Sequence, residues 1–194
     1  MRYTDVAIIG GGLAGSTAAA MLGRAGISVI LVDPRPDYPP DFRVEKIAGD
    51  AQIERFRKTG IADTILRGAT FGGENWIARF GYLLDRKPSR QYGILYDTLV
   101  NAIRQEIPPD VERIWAKAVS ISTSPERQRI VLSNHDEIST RLVVLANGLN
   151  VSLRQSLGIE RRIISACHSI SMSPTIHFSG VPDACLRQAS AIRS

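Results

Sequence analysis

The chain has 194 residues, enough for one domain or slightly more with a real core, and carries a formal net charge of +5. The charge is spread along the sequence, and clusters such as Asp85-Arg-Lys-Pro-Ser-Arg90 lack the interleaved aromatics of a nucleic-acid surface, so a solvated face is expected there. No apolar run approaches a membrane span and no cleavable leader is visible, so a cytoplasmic chain is expected.

In chain order, Asp5 to Ile9 is short, apolar and β-branched, which predicts a buried parallel strand. Gly10, Gly12 and Gly15 follow as G-x-G-x-x-G. Gly10 permits the tight turn, Gly12 lets a backbone approach a pyrophosphate, and Gly15 lets the next helix lie close to the strand. That helix runs from Leu13 to about Ala25 and ends at Gly26, with its free N–H groups and positive dipole end facing the turn. Ser28 to Val32 is a second strand, and Asp33 closes it. A carboxylate there can accept hydrogen bonds from the ribose hydroxyls of an adenine nucleotide, and it disfavours a 2′-phosphate. Strand, glycine turn, helix and acid together predict a dinucleotide site. The loop by itself fits NAD and FAD alike.

Pro34 to Lys46 is too proline-dense for a helix or central strand and predicts a surface loop. Ile53, Phe56, Ile61 and Ile65 predict two short helices separated by Gly60. Ala69 to Leu84 reads as strand, and Gln91 to Glu106 as a helix ending before Pro108-Pro109. Val111–Trp115, Lys117–Ser122 and Gln128–Leu132 predict a small antiparallel meander. Arg141 to Ala146 predicts a second buried strand running into Asn147-Gly148, and Ser152 to Leu157 a short helix. Ile163 onward begins strand-like and then becomes rich in Ser, Pro and Arg. Cys167 and Cys185, with His168 and His177, match no usual zinc spacing, so free thiols and no metal site are expected. A simple dehydrogenase domain would keep alternating strand and helix after Asp33, and this sequence does not.

Three places resemble the FAD-dependent monooxygenases of the p-hydroxybenzoate hydroxylase-like family, the flavoprotein aromatic hydroxylases. They are Gly10-x-Gly12-x-x-Gly15 with Asp33, the Phe42-Arg-Val-Glu-Lys46 segment, and Leu145-Ala-Asn-Gly-Leu-Asn-Val-Ser-Leu-Arg154 running on to Leu157-Gly-Ile159. In the last, Gly148, Asn150 and Arg154 match the family's pattern, Asn147 replaces its Asp, and Val151 stands at its usual Ser. The resemblance covers about Arg2 to Ile164 and selects FAD as the dinucleotide. It implies an α/β, Rossmann-type FAD-binding fold over 1–162 with an inserted α+β segment at about 69–133. Residues 163–194 would then begin an incomplete substrate-domain sheet or form a tail.

The residues so implied to hold FAD are Gly10, Gly12, Leu13, Ala14 and Gly15, then Asp33, Pro34 and Arg35, then Arg43, Asn147 and Gly148. Arg90 or Gln91 is expected at the start of the helix after the insertion, near the ribityl and phosphate region. The implied activity is hydroxylation of a small organic substrate with NAD(P)H as transient electron donor and dioxygen. Trp76, Arg79, Tyr82, Tyr92 and Tyr96 are candidates for its pocket. The alternatives are a flavin-binding module inactive alone and a geranylgeranyl reductase-like flavoprotein. The later Gly-Asp segment of the family is absent, so the expectation is a chain that retains little flavin and is completed by a partner or a second copy. Its segment from about Ser171 is expected to be disordered or packed on that partner.

Overall fold

The computed structural model describes residues 1–160. The expected strand from Ile163, the cysteine and histidine cluster and the segment from Ser171 lie outside the described residues.

Strand β1 (Arg2–Ile9) lies between two parallel neighbours, β2 (Val29–Val32) and β9 (Glu137–Leu145). Its central position explains its sequence, because successive side chains enter opposite layers and both layers are apolar. Val6 and Ile8 pack with Val29 and Leu31 beneath helix α1 (Leu13–Arg24), against Ala19 and Ala20. Ala7 and Ile9 point the other way and meet Ile30, Val32, Ile114, Ile130 and Leu132.

The full sheet has the order β6-β2-β1-β9-β8-β7, where β6 is Glu112–Ile114, β7 Ala118–Ser122 and β8 Gln128–Leu132. The expected meander is therefore β7-β8-β9 rather than Val111 to Leu132. Strand β6 joins the other edge of the sheet, parallel to β2. The backbone N–H of Ser133 donates to Lys117 O at 2.8 Å, and Ile130, Leu132 and Ile138 of the antiparallel end share a core with Ala7 and Ile9. Strand β9 is less enclosed than expected, with Ile138 to Thr140 buried but Leu142 exposed.

A second sheet, β3-β5-β4, stands apart. It comprises β3 (Val44–Ala48), β4 (Thr70–Arg79) and β5 (Tyr82–Leu95). Helices α2 (Gly49–Lys58), α3 (Ala62–Gly68) and α4 (Tyr96–Gln105) pack with it around Ile47, Ile53, Ile65, Ile94 and Ile103. The inserted unit thus runs from β3 to β5, and residues 111–133 belong to the main sheet. Helix α5 (Ser152–Ser156) places Leu153 in the main core.

Candidate functional site

The glycine turn sits at the carboxyl ends of β1 and β2, where a doubly wound sheet opens a crevice. Gly10 has φ +108°, and a Cβ on it would lie 2.5 Å from Ala146 O. A Cβ on Gly15 would lie 1.8 Å from Gly10 O. Both positions exclude side chains because the protein's own backbone fills the space. Gly12 differs. Among the described residues a Cβ there would meet only the Tyr96 hydroxyl, at 3.7 Å, and the residue has an ordinary φ of −74°. Nothing among the described residues demands a glycine at that point. The first turn of α1, which Gly12 opens, has no side-chain cap.

The turn opens onto a cleft of about 650 Å³. Gly10, Gly12, Leu13 and Ala14 form one wall, Asp33, Pro34, Arg35 and Arg43 a second, and Asn147 with Gly148 a third. Gly15 lies buried behind the turn rather than on the cleft.

Asp33 is more committed than its position in sequence implies. It is 6% exposed, and its carboxylate accepts Gly11 N–H at 2.7 Å and Arg35 N–H at 2.9 Å. The guanidinium of buried Arg104 stands 3.4 Å from Oδ1. A carboxylate offers about four acceptor positions, so part of its capacity stays available toward the cleft.

Arg43 lies at the cleft edge, stacked 4.2 Å over the Tyr96 ring. Its Nε donates to Asp41 Oδ2 at 2.8 Å and its Nη2 to the Tyr38 hydroxyl at 2.9 Å. Tyr38 is fixed in turn by Asn101, which accepts its N–H at 2.8 Å and donates to its carbonyl at 3.0 Å. The Asp41 carboxyl is held below its ordinary range, first by the Arg43 side chain and then by the Arg43 backbone N–H. A carboxyl whose folded pKa is depressed contributes stability above its unfolded pKa and loses it as pH falls through the folded value. Carboxyl NMR titration should give Asp41 a midpoint below the ordinary aspartate range, and Arg43→Ala, which removes the guanidinium but keeps the backbone N–H, should raise it part of the way back. An ordinary midpoint in the parent chain would disprove the pairing.

Arg90 and Gln91 are not where the sequence placed them. They lie within β5, which pairs on one side with β3 and on the other with β4. Strand β4 pairs with Gln91 to Gly93 and β3 with Gln91 to Leu95, which keeps the backbone extended through Leu95, and the helix begins at Tyr96. Arg90 pairs with Asp50 at 2.9 Å with a largely exposed side chain, and Gln91 lies opposite Ala48 and Gly72. Neither lines the cleft, and Tyr96 occupies the helix start instead, its N–H donating to Arg43 O at 2.8 Å.

Of the aromatic and arginine candidates, only Tyr96 reaches the cleft. Trp76 lies under Arg86, Arg79 against Phe80, and Tyr92 against Phe71, while Tyr82 is 74% exposed. The third wall is held by its own turn, in which Asn147 Nδ2 donates to Asn150 O at 3.2 Å and Arg154 to Gly148 O at 3.3 Å.

Residues 3–183 match the FAD binding domain family. The chain belongs to that family. It is 29% identical over 177 residues to digeranylgeranylglycerophospholipid reductase 2 of Methanothermobacter thermautotrophicus, covering 82% of this chain and 43% of that protein. It is 25% identical over 173 residues to 3-demethoxyubiquinol 3-hydroxylase of Escherichia coli, covering 80% of this chain and 44% of the relative. The chain thus spans less than half the length of these relatives. The fold matches p-nitrophenol 4-monooxygenase PnpA of Pseudomonas putida DLL-E4 with a TM-score of 0.73 at 18% identity, over 81% of this chain and 44% of that one. The cofactor of this family is FAD. Among the described residues, no helix is long and apolar enough to cross a membrane.

Proposed function

We propose that the cleft holds the ADP half of FAD and that the chain serves an FAD-dependent monooxygenase acting on a small organic substrate. The observation that carries this reading is the open space at Gly12 beside the uncapped start of α1. A missing Cβ that the protein does not need makes sense if a diphosphate must approach there. Gly12, Leu13 and Ala14 would offer backbone N–H groups and the helix dipole to it. The outward side of Asp33 would accept the ribose hydroxyls, with Pro34 and Arg35 beside it, and Arg43 would supply positive charge at the edge. Asn147 and Gly148 would close the opposite wall.

Bound FAD supplies the redox chemistry, with NAD(P)H as the donor and dioxygen as the acceptor in the monooxygenase reading. This chain's residues bind, orient and shield. Two names support the hydroxylating reading, those of the Escherichia coli hydroxylase and the kynurenine 3-monooxygenase of Dictyostelium discoideum. The reductase relative supports a second reading, a flavoprotein that saturates a prenyl chain. We place the nucleotide-binding unit at about 1–162 in a cytoplasmic protein that associates with a partner chain or a second copy.

The test is a visible spectrum of the purified chain titrated with FAD, followed by NAD(P)H and oxygen consumption with candidate phenols. Saturable flavin binding with slow turnover by the chain alone is expected. A chain that binds no flavin would end this reading, and flavin oxidised by a prenyl substrate without oxygen uptake would favour the reductase.

A further inference from the structure

We propose that Arg104 is a positioning residue that aims the glycine turn at a diphosphate, an inference that rests on the FAD reading above. Arg104 lies in the last turn of α4, 93 residues from the turn it serves, and is 6% exposed. Its Nε and Nη2 donate to Gly11 O at 2.9 and 2.7 Å, and Ser16 Oγ donates to the same oxygen at 2.9 Å. Its Nη1 donates to Arg35 O at 2.9 Å and Pro36 O at 2.7 Å. With Nη2 also 3.4 Å from Asp33 Oδ1, every nitrogen of the fork faces an acceptor. One planar guanidinium therefore joins the glycine turn, the acid and the loop after it.

In a trans peptide the carbonyl and the following N–H point in opposite directions. Holding Gly11 O inward thus aims Gly12 N–H outward, and Gly12 lines the cleft where Gly11 does not. That peptide joins two glycines, so without a partner on its oxygen its backbone would be free to reorient. Gly11 and Arg104 are fitted to each other, since a Cβ on Gly11 would lie 2.8 Å from Arg104 Nη2. Lysine could keep the charge but not the fork that reaches three segments at once.

The experiment compares the full chain with Arg104→Lys, titrating each with FAD and separately with ADP and recording unliganded melting and the Gly12 and Leu13 amide NMR signals. A cooperative melt is expected for the variant, with both affinities falling in parallel by about tenfold or more, as for one or two lost charge-assisted hydrogen bonds. The two amide signals should shift or broaden before any ligand is added. A folded variant with both affinities within about twofold of the parent, and unchanged amide signals, would overturn the proposal. Should Arg104→Lys fail to fold, Ser16→Ala removes the other donor on Gly11 O. It should weaken both ligands about threefold, and unchanged binding would overturn the proposal equally. A parent chain that bound neither FAD nor ADP would instead sink the FAD reading itself.

Discussion

Gly12→Val should eliminate FAD binding while leaving the unliganded protein as stable as its parent. The new Cβ has room, since among the described residues, its chain neighbours aside, it meets only the Tyr96 hydroxyl at 3.7 Å, and the backbone at −74° suits any L-residue. The branched side chain would fill the ground that a pyrophosphate must enter. Losing two amide contacts to a charged group, at about 1.5–3 kcal/mol each, weakens binding by at least about 100-fold. Gly15→Ala is the control with the opposite signature. Its Cβ would sit 1.8 Å from Gly10 O, so helix or turn must move and the unliganded protein itself should lose about 1–3 kcal/mol or more. Calorimetric melting and FAD titration of both variants check the pair. Parent-like affinity in Gly12→Val would refute the placement of the phosphates.

Asp33→Ala should cost fold stability as well as ligand affinity. The substitution strips Gly11 and Arg35 of the acceptor for their backbone N–H groups and leaves Arg104 without its buried counter-charge. Breaking a buried pair by removing one partner typically costs about 3–5 kcal/mol. The carbonyl acceptors that Arg104 keeps place this case toward the lower end of that range. For a domain of this size, each kcal/mol shifts the melting temperature by roughly 2–4 °C, so a fall of about 10 °C is expected. Urea unfolding of the unliganded variant measures it directly. A loss below about 1 kcal/mol would mean that the acid serves the ligand alone.

The contrast between these two positions shows what was legible in the sequence. The unit from β1 through α1 to β2 is local, and each step leaves a local mark: apolar alternation, glycine spacing, alanine-rich helix, terminal acid. The third wall at Asn147-Gly148 was legible from its resemblance to a family segment. The start of α4 was not, because Gln91 to Leu95 is held extended by β3, and as far as Gly93 by β4 as well, and nothing within the segment records that. Strand β6 is three residues long, and its edge position beside β2 depends on a crossover rather than on its own composition. Arg104 looks like an ordinary basic residue at the end of a helix, and only the fold brings it to Gly11.

The order in which the sheet is assembled bears on when such a cofactor can be taken up. Val6 pairs with Val29 on one side and with Leu142 on the other. The wall facing the glycine turn begins at Ala146, whose N–H donates to Ile9 O at 2.8 Å. During synthesis, β1, α1 and β2 leave the ribosome early, yet the first strand keeps an unpaired edge until more than a hundred further residues have been made. Long-range parallel pairing is slow to form, and an open apolar strand edge invites wrong partners in the meantime. The nascent chain therefore holds only half of the proposed nucleotide site until β9 has been made. On the proposed placement of FAD, cofactor loading waits for β9, and a stall between Asp33 and Glu137 would leave an open-edged intermediate without a complete site.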